Sequence, residues 1–280
     1  MIKKLICLIC LIAVCAGTGK GLYWATKGFS YRRIQGPVHT GKLEIWNAEA
    51  DQALSQRYFY IGRGRQCFAF ESEDGKYVVK LPRTDIYQIP LWLRVLPFKS
   101  KRERLRASRS KQEAFIFESF RIAYDALQKE TGMIALHIGR TEPKDKWITL
   151  YNAAGFKFHL PVDQTTFVLQ HKHPILMKAF LASLENGDRK EAERILDAFI
   201  DVVVDRGKRG IWNRDESFLR NYGFDGQRAY QIDVGSFYYK ENGIASIRDT
   251  MHPVRKWLRG IDPAMLQFFD QTLEAKLSTN

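Results

Sequence analysis

The sequence predicts an α+β fold with a strand-rich first part and a helix-rich second part, divided near residue 172. Up to that residue, short segments rich in aromatic and β-branched residues alternate with glycine turns. After it, longer segments carry apolar residues at three- and four-residue spacing. The 280 residues, 45% of them apolar, suffice for one domain or one two-lobed domain with a sizeable core.

The chain begins with a positively charged and then apolar segment. Lys3 and Lys4 precede an unbroken apolar run over residues 5–16. Such a run is typical of a signal peptide and is short for a spanning helix of about 20 residues, although Tyr23 and Trp24 suit a membrane interface. We assign residues 1–26 to a membrane anchor. The alternatives are a cleaved signal, a lipoprotein segment and a buried core helix.

The net charge of +13 indicates anionic partners. The sequence contains no zinc-finger spacing and no nucleic-acid module, so we expect no nucleic-acid partner. Residues 94–111 contain eight lysines and arginines and one acidic residue, Glu103. This stretch is either a solvated basic face or loop, or a contact with anionic lipid headgroups. Cys67 is the one cysteine after the apolar run, which favours a reducing compartment.

The secondary-structure pattern is clearest from Tyr58 onward. The aromatic and β-branched runs predict hairpin strands up to residue 82, and the helical periodicity predicts a helix after the basic stretch. Expected strands cover residues 58–62, 67–72, 76–82, 133–139, 147–152, 156–160 and 165–172; expected helices cover 111–129, 174–186, 189–206 and one or two segments between 249 and 277.

The first candidate site lies in the predicted hairpins. Gly62 and Gly64 stand at a turn, where missing Cβ atoms let backbone N–H groups approach a phosphate. Lys80 ends the strand Tyr77-Val78-Val79-Lys80, from which an ammonium group can reach the α- and β-phosphates of a nucleotide.

The second candidate site follows the helix predicted to end near Gly207. A polar loop contains Asp215 and Asn221, and a hairpin turning at Asp225-Gly226 leads to Asp233-Val234-Gly235. Phosphoryl transfer needs a carboxylate near the acceptor hydroxyl, and an asparagine and an aspartate that hold Mg²⁺. Residues of these types occur here in that order.

These motifs together resemble the protein-kinase-like superfamily over about residues 58–240. Asn213-Arg214-Asp215 is similar to its H-R-D motif, and Asp233-Val234-Gly235 is similar to D-F-G. Gly62-x-Gly64 and Lys80 resemble its glycine-rich loop and phosphate-contacting lysine. The order of the motifs, more than any one of them, carries the resemblance.

The resemblance implies a two-lobed protein-kinase-like fold that binds ATP and Mg²⁺. The N-lobe would span residues 27–172 and the helical C-lobe residues 173–280, after the N-terminal hydrophobic helix. Gly62, Gly64, Lys80 and, in the strand at the hinge position, Gln170 would contact the nucleotide. Asn221 and Asp233 would bind Mg²⁺, and Asp215 would accept or orient the acceptor proton.

The glutamate that pairs with Lys80 should come from the helix after it. Glu113 shares the apolar stripe of Ile116 and Phe120, whereas Glu118 points about 140° away at 100° per residue. We therefore prefer Glu113 for this role and keep Glu118 as the alternative.

Several features depart from the familiar kinase pattern. Cys67 replaces the third glycine, Asn213 replaces the histidine, and the loop from Asp215 to Asn221 is one residue longer than usual. No A-P-E motif follows, and 45 residues remain after Gly235. The resemblance is therefore to compact atypical bacterial kinases that phosphorylate small molecules or lipopolysaccharide.

The sequence thus predicts a membrane-associated, ATP- and Mg²⁺-dependent phosphotransferase with a hydroxyl acceptor on a sugar, lipopolysaccharide or protein. The use of ATP favours the cytoplasmic side of the membrane, with a secreted form as the alternative. The departures keep open a catalytically inactive kinase-like scaffold. A third possibility is a structural membrane protein whose polar motifs are ordinary loops.

Overall fold

The computed structural model describes residues 17–36, 41–215, 217–241 and 245–278, and it has a mixed α+β architecture. The strands are β1 (Leu43–Trp46), β2 (Arg57–Arg63), β3 (Cys67–Ser72), β4 (Tyr77–Pro82), β5 (Met133–Ile138), β6 (Trp147–Tyr151), β7 (Lys157–Pro161), β8 (Phe167–His171), β9 (Ile211–Asn213), β10 (Tyr222–Phe224), β11 (Ala229–Gln231) and β12 (Phe237–Tyr239). The helices are α1 (Ala48–Leu54), α2 (Leu91–Val95), α3 (Lys99–Asp125), α4 (Gln128–Thr131), α5 (Leu176–Glu185), α6 (Arg189–Lys208), α7 (Ala245–Thr250), α8 (His252–Ile261) and α9 (Pro263–Ser278).

The chain divides into two compact units that are discontinuous in sequence. Among the described residues, the first contains 17–36, 41–44, 48–109 and 137–167, and the second contains 45–47, 110–136, 168–215, 217–241 and 245–278. An eight-stranded sheet is present: β4-β3-β2-β6-β7 lie in this order within the first unit, and β1-β5-β8 contain residues of both. The pairs β10-β11 and β12-β9 form two small sheets in the second unit.

The first unit contains the predicted hairpin strands as β2, β3 and β4. Both pairs are antiparallel, and β2 also pairs in parallel with β6. In β3 buried and half-buried residues alternate, as the two faces of a pleated strand require. Phe68 and Phe70 of β3 lie on the buried face, where the Phe29 ring contacts each at a centroid distance of 5.1 Å. No secondary-structure element was predicted for the stretch containing Phe29.

The predicted membrane segment is only partly described. Its apolar run over residues 5–16, with Cys7 and Cys10, lies outside the described residues. Residues 17–25 are helical, and Arg63 Nη1 donates a hydrogen bond of 2.7 Å to the Tyr23 hydroxyl. Within the described part of the chain, no helix has the length and apolar character needed to cross a bilayer.

The helix after the basic stretch begins earlier than expected. We expected it over residues 111–129 and left open whether the basic residues before it formed a loop. The structure places one helix over Lys99–Asp125, so most of the basic stretch is helical. Pro97 is the last helix breaker before this segment, and lysine, arginine and glutamate are good helix formers. The periodicity of apolar residues marked only the part of the helix that has a buried face.

The second unit contains the predicted helices of residues 174–186 and 189–206 as α5 and α6. Asp188 caps α6 by accepting a 3.0 Å hydrogen bond from the backbone N–H of Glu191. Phe199 on the buried face of α6 contacts Phe218 and Tyr222 edge-on, with ring centroids 4.6 and 4.7 Å away. These contacts fix the polar loop and the first strand of the β10-β11 hairpin on the helical core.

Candidate functional site

Asp215 lies at the end of a short turn that begins with a buried strand. Asn213 is the last residue of β9 and is buried. Its Oδ1 atom accepts a hydrogen bond of 2.8 Å from the backbone N–H of Asp215. Asparagine side chains commonly stabilise a turn in this way. The turn leaves the Asp215 side chain exposed to solvent, where a carboxylate can meet a substrate.

Asn221 joins the Asp215 loop to the strand that precedes Asp233. Its Nδ2 atom donates a hydrogen bond of 2.9 Å to the Asp215 carbonyl. Its own carbonyl accepts a hydrogen bond of 2.8 Å from the backbone N–H of Ile232. Asn221 is 7% exposed. Because Nδ2 is occupied, Oδ1 is the atom that suits a metal ion.

The predicted hairpin between Asn221 and Asp233 is present. Tyr222 pairs with Gln231 and Phe224 with Ala229, with the turn at Asp225-Gly226. Gly226 has φ +99°, a left-handed conformation that favours glycine. Asp225 Oδ1 accepts hydrogen bonds from the backbone N–H groups of Gln227 and Arg228. The hairpin therefore returns the chain from Asn221 to Asp233.

Asp233 lies in a turn beside the Asp215 loop. Its Oδ1 atom accepts a hydrogen bond of 3.2 Å from the backbone N–H of Gly235, which leaves Oδ2 for another ligand. The backbone N–H of Arg214 donates a hydrogen bond of 3.0 Å to the Ser236 carbonyl, and Asn213 pairs with Phe237 across β9 and β12. The backbone thus brings together the loop and turn that carry Asp215, Asn221 and Asp233. We call these three residues the acidic–amide cluster.

Ser119 of α3 is hydrogen-bonded to the segment that follows Asp233 of the acidic–amide cluster. Its Oγ atom donates to the Val234 carbonyl and accepts from the Phe237 backbone N–H, each at 2.6 Å. Ser119 is fully buried, and Val234 and Phe237 are each 1% exposed. Ser119 was not among the predicted site residues. The available signal was a serine on the buried stripe of a predicted helix, because a buried hydroxyl needs hydrogen-bond partners.

Arg214 extends from the same loop over an aromatic ring of α3. The centre of its guanidinium group lies 3.8 Å from the centroid of the Phe115 ring. A stacked guanidinium is held in place by the cation–π attraction. This contact fixes the residue next to Asp215 to the helix that also carries Ser119.

The two glutamate candidates of α3 have different environments. Glu113 is buried, at 1% exposed, and Glu118 is exposed, as the helical spacing predicted. The pairing of Glu113 with Lys80 remains a prediction, since these residues belong to different units.

Gly62 and Lys80 lie in one row of the first unit. Gly62 pairs with Ala69 of β3, and Ala69 pairs with Lys80 of β4. Directly opposite residues face the same side of a sheet at about 4.8 Å per strand, so this row carries only the small Ala69 between Gly62 and Lys80. Ala69 and Lys80 are both half-buried on this side of the sheet.

We expected both Gly62 and Gly64 at a turn, but Gly62 lies in β2 and only Gly64 lies in the turn between β2 and β3. Both glycines leave open space beside the backbone. The backbone N–H of Gly64 donates a hydrogen bond of 2.9 Å to the Cys67 carbonyl and closes the turn. A Cβ atom at Gly62 would meet no heavy atom within 4 Å, and at Gly64 the nearest would be the Cys67 carbonyl at 3.7 Å. Neither glycine is among those with positive φ. The space that a side chain would fill is therefore available to a ligand.

Gln170 of β8 has a structural contact. Its Nε2 atom donates a hydrogen bond of 2.8 Å to the Thr131 carbonyl at the end of α4, and the residue is 2% exposed. The predicted contact of Gln170 with a nucleotide remains a prediction, and the Nε2 atom is already used.

The second unit also contains a neutral histidine near the hairpin. The His173 ring stacks on Tyr230 at a centroid distance of 3.7 Å, and the Tyr230 hydroxyl donates a 2.8 Å hydrogen bond to Asp225. Burial lowers the pKa of His173 from 6.5 to about 4, against the opposing pull of the Asp225 carboxylate. His173 is therefore uncharged near neutral pH.

The donor set of the acidic–amide cluster fits magnesium. Asn221 Oδ1 and the second carboxylate oxygen of Asp233 are hard oxygen ligands, and Mg²⁺ usually takes one or two carboxylates together with phosphate oxygens and water. Among the described residues, no group of three or more histidine, cysteine, aspartate or glutamate side chains could hold a metal ion. The proposed ligands of the acidic–amide cluster are one carboxylate, Asp233, and one amide, Asn221.

The comparisons with known proteins gave structural neighbours only. No protein-family model and no curated protein matches the chain. Three solved structures of WbdD, one of them described as a bifunctional kinase-methyltransferase, match at 16%, 16% and 17% identity with TM-scores of 0.36, 0.38 and 0.36. The matches cover 76–78% of this chain and 42–45% of the WbdD chains, so this chain spans less than half of their length.

Proposed function

We propose that the chain is an ATP- and Mg²⁺-dependent phosphotransferase with a hydroxyl acceptor. The acidic–amide cluster is the observation that carries this proposal. Asn221 is hydrogen-bonded to the Asp215 carbonyl and to the backbone N–H of Ile232. These hydrogen bonds link the segment of the solvent-exposed Asp215 carboxylate to Asn221 and to the residue before Asp233, the two proposed oxygen ligands. Phosphoryl transfer depends mainly on positioning and charge stabilisation, and this arrangement supplies both.

Asp215 is the proposed proton acceptor. As the acceptor oxygen forms its bond to the γ-phosphorus, the bond to the β–γ bridging oxygen breaks and ADP leaves. The acceptor proton passes to the Asp215 carboxylate or is oriented by it. Asn221 Oδ1 and Asp233 would hold Mg²⁺, which would supply positive charge that offsets the charge of the phosphates.

The first unit contains Gly62, Gly64 and Lys80, three of the proposed nucleotide contacts. The open outer side of Gly62 and Gly64 suits the approach of phosphate oxygens to backbone N–H groups. Lys80, in the same row as Gly62, is the proposed partner of the α- and β-phosphates, with Glu113 orienting it. Sugars, lipopolysaccharide and proteins are the proposed acceptor classes, and the use of ATP favours the cytoplasmic side.

Thermal unfolding of the full chain with ATP, with and without Mg²⁺, tests the nucleotide site. A ligand at about ten times its Kd stabilises the native state by roughly 1.4 kcal/mol. For a chain of this size that raises Tm by about 2–4 °C. Release of ADP from ATP, with water or the protein itself as acceptor, measures turnover while the acceptor is unidentified.

Two variants and a control separate the roles. Asp233→Asn should remove the Mg²⁺-dependent part of the Tm shift and the turnover. Asp215→Ala should remove turnover and keep the shift, because its proposed partner is the acceptor. Asp205→Asn, at an exposed position on α6, should change neither. Binding of ATP without release of ADP would favour an inactive kinase-like binding module, and the lack of any ATP effect would refute the proposal.

A further inference from the structure

The chain segment between β4 and the buried part of α3 has an exposed apolar surface. Residues 91–98 expose five large apolar side chains at 40–79% of their surface, although large apolar residues usually expose far less. They are Leu91, Trp92, Val95, Leu96 and Phe98. We call residues 91–109, which all belong to the first unit, the basic–aromatic segment.

The basic–aromatic segment has a fixed conformation. Leu93 is 1% exposed and packs into the core, so the other apolar residues of α2 face outward. Arg94 Nε donates a hydrogen bond of 3.1 Å to the Ile89 carbonyl, and Arg102 Nη1 donates one of 3.0 Å to the Arg94 carbonyl. These contacts connect α2 with the start of α3. The outward-facing apolar residues therefore belong to ordered structure.

Positive charge follows directly after the apolar residues. The first turns of α3, residues 99–109, contain six lysines and arginines and one acidic residue, Glu103. The side chains of Lys99, Lys101, Arg104 and Arg106 are exposed. The segment thus joins an exposed apolar patch of tryptophan, phenylalanine and aliphatic residues to a basic helix.

We propose that the basic–aromatic segment binds the surface of a bilayer that contains anionic phospholipid. Tryptophan, phenylalanine and leucine partition into the boundary between headgroups and acyl chains, and lysine and arginine contact the anionic headgroups. An acidic protein partner could match the charge, but a polar surface would leave the apolar residues without contact. The apolar run over residues 5–16 favours the lipid surface as well, because a second attachment acts at high effective concentration once the first is bound.

The proposed lipid binding by the basic–aromatic segment does not depend on the proposed catalytic function. None of the residues proposed to bind ATP, Mg²⁺ or the acceptor lies between residues 91 and 109. The association of the segment with lipid can therefore fail while phosphoryl transfer is present, and the reverse can also occur.

Binding of the full chain to phosphatidylcholine vesicles, with and without phosphatidylglycerol, tests the proposal. The first 16 residues can bind both kinds of vesicle, so the readout must be local. Hydrogen–deuterium exchange should slow in residues 91–109 only on vesicles with phosphatidylglycerol. High salt should reverse this protection, because headgroup attraction is screened over about 10 Å at 0.1 M salt.

Neutralising the four exposed basic residues tests the charge. Changing Lys99, Lys101, Arg104 and Arg106 to glutamine should weaken the anionic-lipid-dependent binding by about 100-fold or more, since each basic side chain contributes on the order of fivefold. The matched control changes Lys190, Arg228, Lys256 and Arg259, four exposed residues of the second unit. It removes the same charge and should leave the exchange protection in place.

Trp92→Ala tests the apolar contact, with Trp147→Ala as its control because that tryptophan of β6 is also about half exposed. Trp92→Ala should lower vesicle affinity and Trp147→Ala should not. ATP-dependent thermal shifts of all variants should equal that of the unmodified chain. The proposal is overturned if residues 91–109 are not protected on anionic vesicles, if both charge variants lose affinity equally, or if only an acidic polypeptide such as polyglutamate protects the segment.

Discussion

Replacement of Ser119 by alanine tests how the acidic–amide cluster is held in place. The Ser119 hydroxyl is the hydrogen-bond partner of both the Val234 carbonyl and the Phe237 backbone N–H, and the residue is fully buried. Alanine removes both hydrogen bonds and leaves two polar groups in an apolar environment. A buried polar group without a partner costs about 1–3 kcal/mol. We expect Ser119→Ala to lower the free energy of unfolding by about 2–4 kcal/mol.

Ser183→Ala is the matched control. Ser183 also lies in a helix and is 7% exposed, and its hydroxyl donates a hydrogen bond of 2.8 Å to the Ala179 carbonyl one turn earlier. That carbonyl also lies within the helix, so the loss of the hydroxyl leaves it with its helical partner. Both variants gain the same helix propensity from alanine, about 0.5 kcal/mol. The difference between them therefore isolates the two hydrogen bonds of Ser119.

Urea unfolding gives both free energies, and hydrogen exchange localises the effect. The backbone N–H of Phe237 should exchange faster in Ser119→Ala than in the unmodified chain. The Mg²⁺-dependent part of the ATP-induced Tm shift should also decrease, because Asp233 lies in the released turn. If Ser119→Ala destabilises the protein no more than Ser183→Ala and leaves Phe237 exchange unchanged, our account of the turn is wrong.

Two further predictions concern the nucleotide site and acid stability. Lys80→Met should lower the affinity for ATP, measured from the ATP-dependent Tm shift, about 10- to 100-fold, which is the effect of losing a charged hydrogen bond. A double-mutant cycle should show energetic coupling of Lys80 with Glu113. Coupling with Glu118 instead would assign this role to Glu118. The pKa of His173 is lowered from 6.5 to about 4 in the folded protein. The contribution of neutral His173 to the free energy of unfolding is therefore complete above pH 6.5 and is lost as pH falls toward 4. His173→Phe, which keeps a ring on Tyr230, should show a smaller decrease of Tm across that range, and an unchanged decrease would exclude this role.

Local sequence patterns predicted much of the secondary structure. The aromatic and β-branched runs of residues 58–82, bounded by glycine turns, predicted three strands, and these are β2, β3 and β4. The turn residues Asp225-Gly226 predicted the hairpin of β10 and β11. The helical spacing predicted that Glu113 is buried and Glu118 exposed. In each case the signal lies within a few residues, because side-chain periodicity and turn chemistry are local properties.

Other elements had no such local signal. The start of α3 at Lys99 was missed because its first turns contain no fully buried residue and show no apolar stripe. The packing of Phe29 against β3 was missed because nothing in the neighbouring sequence specifies its partner. Amphipathic periodicity identifies a helix only where one face of it is buried.

The types of the residues proposed for phosphoryl transfer, and their order along the chain, follow from the sequence alone. The contacts that hold these residues follow from the tertiary structure. The Asn221 side chain donates to the Asp215 carbonyl, and the Asn221 carbonyl accepts from the N–H of Ile232, next to Asp233. The Ser119 hydroxyl donates to the carbonyl of Val234, which lies more than 100 positions further along the chain. The Gln170 amide donates to the Thr131 carbonyl. Hydrogen bonds between distant segments depend on how the whole chain packs, and for that reason no local pattern of residues encodes them.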